Sequence, residues 1–128
     1  MPLKRVTLSP QIASALLEMA RDAHPVEMLV LLRGRKKSEE VVVEELLLAP
    51  LSKHGETSVY FRMDLMPMDF SIVGLAHSHP SGAGSPSLED LHHFIGRIML
   101  ILTPPYRSLD DVHAFDGEGR SLEVRVAD

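Results

Sequence analysis

The chain contains no cysteine, tryptophan or asparagine, and Gln11 is its single glutamine. Without cysteine there can be no disulfide, no thiolate nucleophile and no sulfur-ligated zinc, so any metal must be held by His, Asp or Glu. A zinc base deaminase is excluded on the same ground, because its Pro-Cys-x-x-Cys ligands cannot be built. The scarcity of side-chain amides matches that reported for proteins of hot environments. Surplus positive charge is also missing: the formal net charge is -5, which argues against a partner bound through its phosphate backbone. Long apolar runs are absent as well. The longest, Met28 to Leu32 and Ile98 to Leu102, fall far below the roughly 20 residues of a membrane span, and no basic segment followed by an apolar stretch opens the chain. These absences predict a soluble, cytoplasmic protein with neither nucleic acid nor membrane as partner. At 128 residues and 45% hydrophobic content, one domain over residues 1–128 with one core is expected.

What is present alternates between helical and strand patterns. Ser9 before Pro10 reads as an N-cap with proline at the first helical position, and Ile12, Leu16, Met19, Ala20 and Ala23 recur at helical spacing, predicting a helix from Pro10 to Asp22. Pro25 restricts His24 and ends it. Met28 to Leu32 has the continuous apolar character of a strand buried on both faces, with Glu27 at its mouth. A charged link, Arg33 to Glu40, joins it to the Val-rich run Val41 to Leu48 as a hairpin. A loop over Ala49 to Glu56 precedes an alternating strand around Val59, Phe61 and Met63. Leu65, Met66 and Met68 are read as core filling. Further strands are expected at Ser71 to Ala76 and Ile98 to Leu102, a helix from Ser87 to Arg97, and a closing hairpin of Val112 to Phe115 with Leu122 to Val126.

The chemistry concentrates around His77. On an extended backbone residues two apart share a face, so His77 and His79 can present both imidazoles to one point. Asp90 follows after a segment containing Gly82, Gly84 and Pro86, which lets the chain fold back. Two imidazoles, one carboxylate and an open position make a catalytic rather than a structural zinc site. Ser87 and Asp90 also fit a capping box at a helix start, the plainer reading taken alone, and both roles can coexist. Ser87 could also donate to the oxyanion of a tetrahedral intermediate. A carboxylate such as Glu27 near bound water can accept its proton, although an exposed strand-end glutamate is the commoner arrangement. His92 and His93, adjacent on a helix, point about 100° apart and cannot both face one metal. His24, His54 and His113 read as surface or hydrogen-bonded histidines.

Glu27, His-Ser-His-Pro at 77–80 and Ser87-Leu88-Glu89-Asp90 together resemble the motif of the JAMM/MPN+ metalloprotease family. The resemblance implies an α/β fold with a curved mixed β-sheet flanked by helices, similar in layout to cytidine deaminases. It further implies zinc on His77, His79 and Asp90, Glu27 as general base and then acid, and Ser87 stabilising the oxyanion. The implied reaction is hydrolysis of the bond between a ubiquitin-like modifier's C-terminal glycine and a lysine or peptide amine. The short connecting segments resemble compact stand-alone members of archaeal type, related to the proteasome-lid deubiquitinase, with ubiquitin-like conjugates as substrate and a homodimer or proteasome-type partner to be considered. The alternatives are another metallohydrolase, since H-x-H also opens amidohydrolase and metallo-β-lactamase sites, and a non-catalytic MPN scaffold or ubiquitin-like-binding module.

Overall fold

A computed structural model describes residues 2–47, 51–54, 58–61 and 71–127, the two short central stretches by backbone alone. Nine strands and two helices are described: β1 (Arg5–Leu8), α1 (Pro10–Ala23), β2 (Leu29–Lys37), β3 (Glu40–Leu47), β4 (Leu51–His54), β5 (Ser58–Phe61), β6 (Ile72–Ser78), α2 (Leu88–His92), β7 (Ile98–Leu102), β8 (Val112–Asp116) and β9 (Ser121–Val126), with a 3₁₀ turn at Leu109–Asp111.

Seven strands form one mixed sheet in the order β1-β3-β2-β6-β7-β8-β9, which closes because β1 also pairs with β9. Three pairs are parallel, β1 with β3, β1 with β9, and β6 with β7. The expected curved mixed sheet is therefore curved to closure. Side-chain alternation gives it two apolar faces. On β7, Ile98, Leu100 and Leu102 join a core supplied by all seven strands and by Ala13, Leu16, Leu17 and Ala20 of α1. Met99 and Ile101 turn the other way, toward Leu31, Leu75, Phe115 and the partly buried Phe94 and Ile95. Ile98 to Leu102 is at most 1% exposed, and each such side chain contributes about 1.5–3 kcal/mol. That burial fixes β7 beside β6, the strand bearing the two motif histidines.

Helix α1 starts as the sequence predicts, with the Ser9 hydroxyl accepting from the Ile12 amide at 3.1 Å. Strand β1 has no counterpart in the sequence reading; it is four residues long and is held by distant partners on both sides. Strand β2 does not stop at Leu32. Its charged second half stays extended because Arg33 and Arg35 face Glu45 and Glu44 of β3 at 3.2 and 3.4 Å, and the reversal comes at Ser38, whose φ is +57°. The expected loop over Ala49 to Glu56 contains β4, which pairs with β5 from Leu51 opposite Phe61 to His54 opposite Ser58. The expected second helix is far shorter than Ser87 to Arg97. Gly96, at φ +72°, turns the chain so that the Arg97 amide donates to the Val73 carbonyl at 2.7 Å, and α2 ends at His92 to let β7 begin. Leu65, Met66 and Met68 lie outside the described residues.

Candidate metal centre

β6 runs one turn of the pleat further than expected, so His77 is inside the strand and His79 follows directly after it. His77 shares the face of Leu75, away from α1, and is 3% exposed. The His79 amide donates to the Leu102 carbonyl at 2.8 Å, which holds the segment against β7. The chain then turns through Pro80 to Pro86, and the first turn of α2 brings Asp90 back to the two rings.

The His77 and His79 Nε2 atoms lie 3.0 Å apart. Asp90 Oδ2 is 3.1 Å from His79 Nε2 and Oδ1 is 3.5 Å from His77 Nε2. Ligands about 2.0–2.1 Å from a tetrahedral zinc stand roughly 3.3 Å from one another, so these separations fit that ion with shifts of a few tenths of an ångström. Among the described residues this is the one group of three or more His, Asp or Glu side chains so gathered. The His79 Nδ1–H donates to the Ala83 carbonyl at 2.8 Å, the outer contact expected of a metal-ligating imidazole; in the protonated ring Nε2–H donates to Asp90 Oδ2 at 3.1 Å, and in the neutral ring the same nitrogen is free to bind a metal.

Ser87 and Asp90 do form a capping box. The Ser87 hydroxyl oxygen accepts from the Asp90 amide at 3.0 Å, and the Ser87 amide donates to Asp90 Oδ2 at 2.9 Å. Capping and metal geometry therefore coexist: the box fixes the carboxylate that points at the imidazoles, while the hydroxyl proton of Ser87 is left for another acceptor.

Glu27 reaches the same place from β2. Leu29 lies opposite His77 in the antiparallel β2–β6 pair, and continuing that register by two residues sets Glu27 opposite His79 on the same face. Burial pushes the Glu27 carboxyl above its ordinary value, opposed by the nearby His77 and His79 and reinforced by Asp90 and Glu89. Burial also disfavours the Asp90 carboxylate, but hydrogen bonds with His77, His79 and the Ser87 amide outweigh it and hold that carboxyl far below the usual range. The hydrogen bond with Asp90 in turn raises the His79 imidazole against the opposing effect of burial. Asp90 is thereby held as a carboxylate beside the two rings, the form in which it can serve as a metal ligand.

Ser78 was passed over by the sequence reading. It points to the opposite face from its two histidine neighbours, is 0% exposed, and its hydroxyl oxygen accepts the Met28 amide at 2.8 Å while its own amide donates to the Met28 carbonyl at 3.0 Å. The residue following Glu27 is thus tied to the residue between the two histidines. A buried hydroxyl between residues of one face was the available signal.

The other histidines lie outside the cluster. His92 and His93 are exposed at the end of α2. His24 caps α1, and its Nδ1 is 3.0 Å from the Tyr106 hydroxyl. His54 is in β4, not in a loop. His113 lies on β8 beside Thr103.

Comparison with known proteins places this architecture. The model of the prokaryotic homologs of the JAB domain matches residues 9–116. The chain belongs to that family. A curated relative from Haloferax volcanii described as a probable metalloprotease is 40% identical over 121 residues, covering 88% of this chain and 74% of its own. The crystal structure of a JAB1/MPN domain protein from Archaeoglobus fulgidus superposes with a TM-score of 0.70 at 29% identity, covering 95% of this chain and 99% of that one. A structure described as a metalloprotease-like JAMM zinc site in the proteasome and signalosome gives 0.67 at 28% identity, covering 98% and 99%. The JAB-domain fold expected from the motif is borne out, and with it membership of a metalloprotease-like family; His77, His79 and Asp90 stand close enough together that they could hold a metal ion. Among the described residues no helix is long and apolar enough to cross a membrane.

Proposed function

We propose that this JAB domain is a zinc-dependent isopeptidase that hydrolyses the bond between the C-terminal glycine of a ubiquitin-like modifier and a lysine or peptide amine. The observation that carries the reading is the convergence of His77, His79 and Asp90 on one point, with Glu27 brought to the same face by the β2–β6 register. His77, His79 and Asp90 would hold the ion. Bound zinc supplies Lewis acidity, lowering the pKa of a water in its open position toward 7 and polarising the scissile carbonyl.

The chain's own groups do the remaining work. A Glu27 carboxylate oxygen accepts a proton from the attacking water and returns it to the leaving amine; a carboxyl raised by burial is better matched to both tasks than an ordinary one. The Ser87 hydroxyl, its lone pair engaged by the Asp90 amide, donates its proton toward the developing oxyanion. The sequence of the motif and the relatives described as a probable metalloprotease and as a metalloprotease-like zinc site support this assignment. An extended tail can be bound by strand addition. The seven-stranded sheet is closed and leaves no edge for it, so among the described strands the β4–β5 ribbon is the one with edges to offer.

The test is Glu27→Gln. The variant is expected to bind zinc as tightly as the parent while turnover on a lysine-linked ubiquitin-like conjugate falls about 10²- to 10⁴-fold. Unchanged turnover would remove Glu27 from the mechanism.

A further inference from the structure

On β8, Val112 and Ala114 turn into the core shared with α1, so His113 between them lies on the same face as His77. The registers of β6 with β7 and of β7 with β8 set His77, Ile101 and His113 in one row. Two strand spacings make about 10 Å, roughly three residues of an extended chain.

The ring is held at one nitrogen and open at the other. Nε2 is 3.0 Å from the hydroxyl of Thr103, a buried residue at 6% exposure, while Nδ1 has no hydrogen-bond partner among the described residues and the side chain is only partly buried. Gly84 lies over the face of the ring: a Cβ there would stand 3.4 Å from Cε1, 3.5 Å from Nε2 and 3.7 Å from Nδ1 of His113, in ordinary van der Waals contact with the face and out of the plane in which Nδ1 hydrogen-bonds. The preceding residue, Ala83, is the one whose carbonyl holds His79. The open edge therefore borders the rim of the metal centre.

We propose that His113 is a substrate-contacting residue, with Nδ1 hydrogen-bonding a main-chain amide group of the extended substrate about three residues from the scissile bond. This rests on the isopeptidase reading above. When Nε2–H donates to Thr103, Nδ1 accepts a substrate N–H; when the Thr103 hydroxyl donates, Nδ1–H binds a substrate carbonyl. In both arrangements a main-chain group is read, so His113 adds affinity without selecting a side chain.

The experiment compares the zinc-loaded parent with His113→Phe, which keeps a ring without nitrogens, and with His113→Gln, which returns one hydrogen-bond donor group and one acceptor. KM and kcat are measured on a lysine-linked conjugate, zinc affinity by competition with a chromophoric chelator, and Kd for a fluorescent peptide ending in Gly-Gly by anisotropy. His113→Phe is expected to raise KM and peptide Kd together about 3- to 10-fold, the worth of one hydrogen bond, with kcat and zinc affinity within twofold of the parent. His113→Gln should stay closer to the parent in both. Unchanged KM and Kd in both variants would overturn the proposal, as would a loss that follows zinc affinity, which would make His113 a support of the ligand loop. A parent that cleaves while both variants match it fails this inference alone; a zinc-loaded parent that neither cleaves nor binds the peptide fails the isopeptidase reading and this inference with it.

Discussion

Replacing Ser78 by alanine separates the framework of the site from its ligands. The Ser78 hydroxyl oxygen is the acceptor for the Met28 amide at 2.8 Å, in a residue with 0% exposure. Alanine removes the acceptor and leaves a backbone N–H buried without a partner, a loss of about 1–3 kcal/mol. With a urea slope of about 2 kcal/mol per molar for a domain of this size, the unfolding midpoint should fall by about 0.5–1.5 M. Ser121→Ala, at an exposed position, serves as control and should change stability by less than about 0.5 kcal/mol. Native-state hydrogen exchange gives the local readout: the Met28 amide should lose protection while the Leu100 amide on β7 keeps its own. Because Met28 follows Glu27, turnover should fall with zinc affinity unchanged. A urea midpoint equal to the parent's, with Met28 still protected, would refute the reasoning.

Three further outcomes follow from the geometry. Gly96→Ala places a side chain at φ +72° with its Cβ 2.5 Å from the Val73 backbone; left-handed strain of about 1–2 kcal/mol is joined by a backbone overlap that only movement of β6 can relieve, so calorimetry should show a loss of at least about 2 kcal/mol. Asp116 is disfavoured as a carboxylate by burial, but amide hydrogen bonds from Arg120 and Glu118 and the Arg120 guanidinium outweigh that and bring its pKa below the ordinary 3.8. A depressed carboxyl stabilises the fold above its unfolded pKa and loses that contribution as pH falls through the folded value, so urea midpoints of the parent and Asp116→Asn should differ at pH 6 and converge as the pH drops below about 3.8. Asp90→Ala should abolish stoichiometric zinc binding and also weaken the start of α2 by about 1 kcal/mol through the lost capping box, measurable as zinc content and as metal-free stability; full zinc retention would contradict the ligand assignment.

Much of this was legible in the sequence where the signal is local. Ser9-Pro10 and the helical spacing after it set α1 to within a residue, and the unbroken apolar run Ile98 to Leu102 set β7. His77 and His79 were readable as a pair because strand geometry forces residues two apart onto one face. Elements decided by distant partners were not readable. β1 exists because β3 and β9 take it up on either side, β2 continues through its charges because Glu44 and Glu45 wait on β3, and α2 stops early because Gly96 must deliver the chain to Val73. The same holds within the site. Glu27 was marked as a proton-transfer group by the motif alone, since its own surroundings in the sequence fit an exposed strand-end glutamate equally well, and the Ser78 contact with Met28 and the Thr103 contact with His113 join residues 50 and 10 positions apart.

The central claim is tested most directly by metal analysis of the purified chain together with cleavage of a lysine-linked ubiquitin-like conjugate, with and without a chelator. The account predicts one zinc per chain and release of the modifier that stops on chelation and returns with added zinc. Zinc without cleavage would favour a scaffold or binding module over an enzyme, and failure to take up metal even from added zinc would contradict the site at His77, His79 and Asp90 itself.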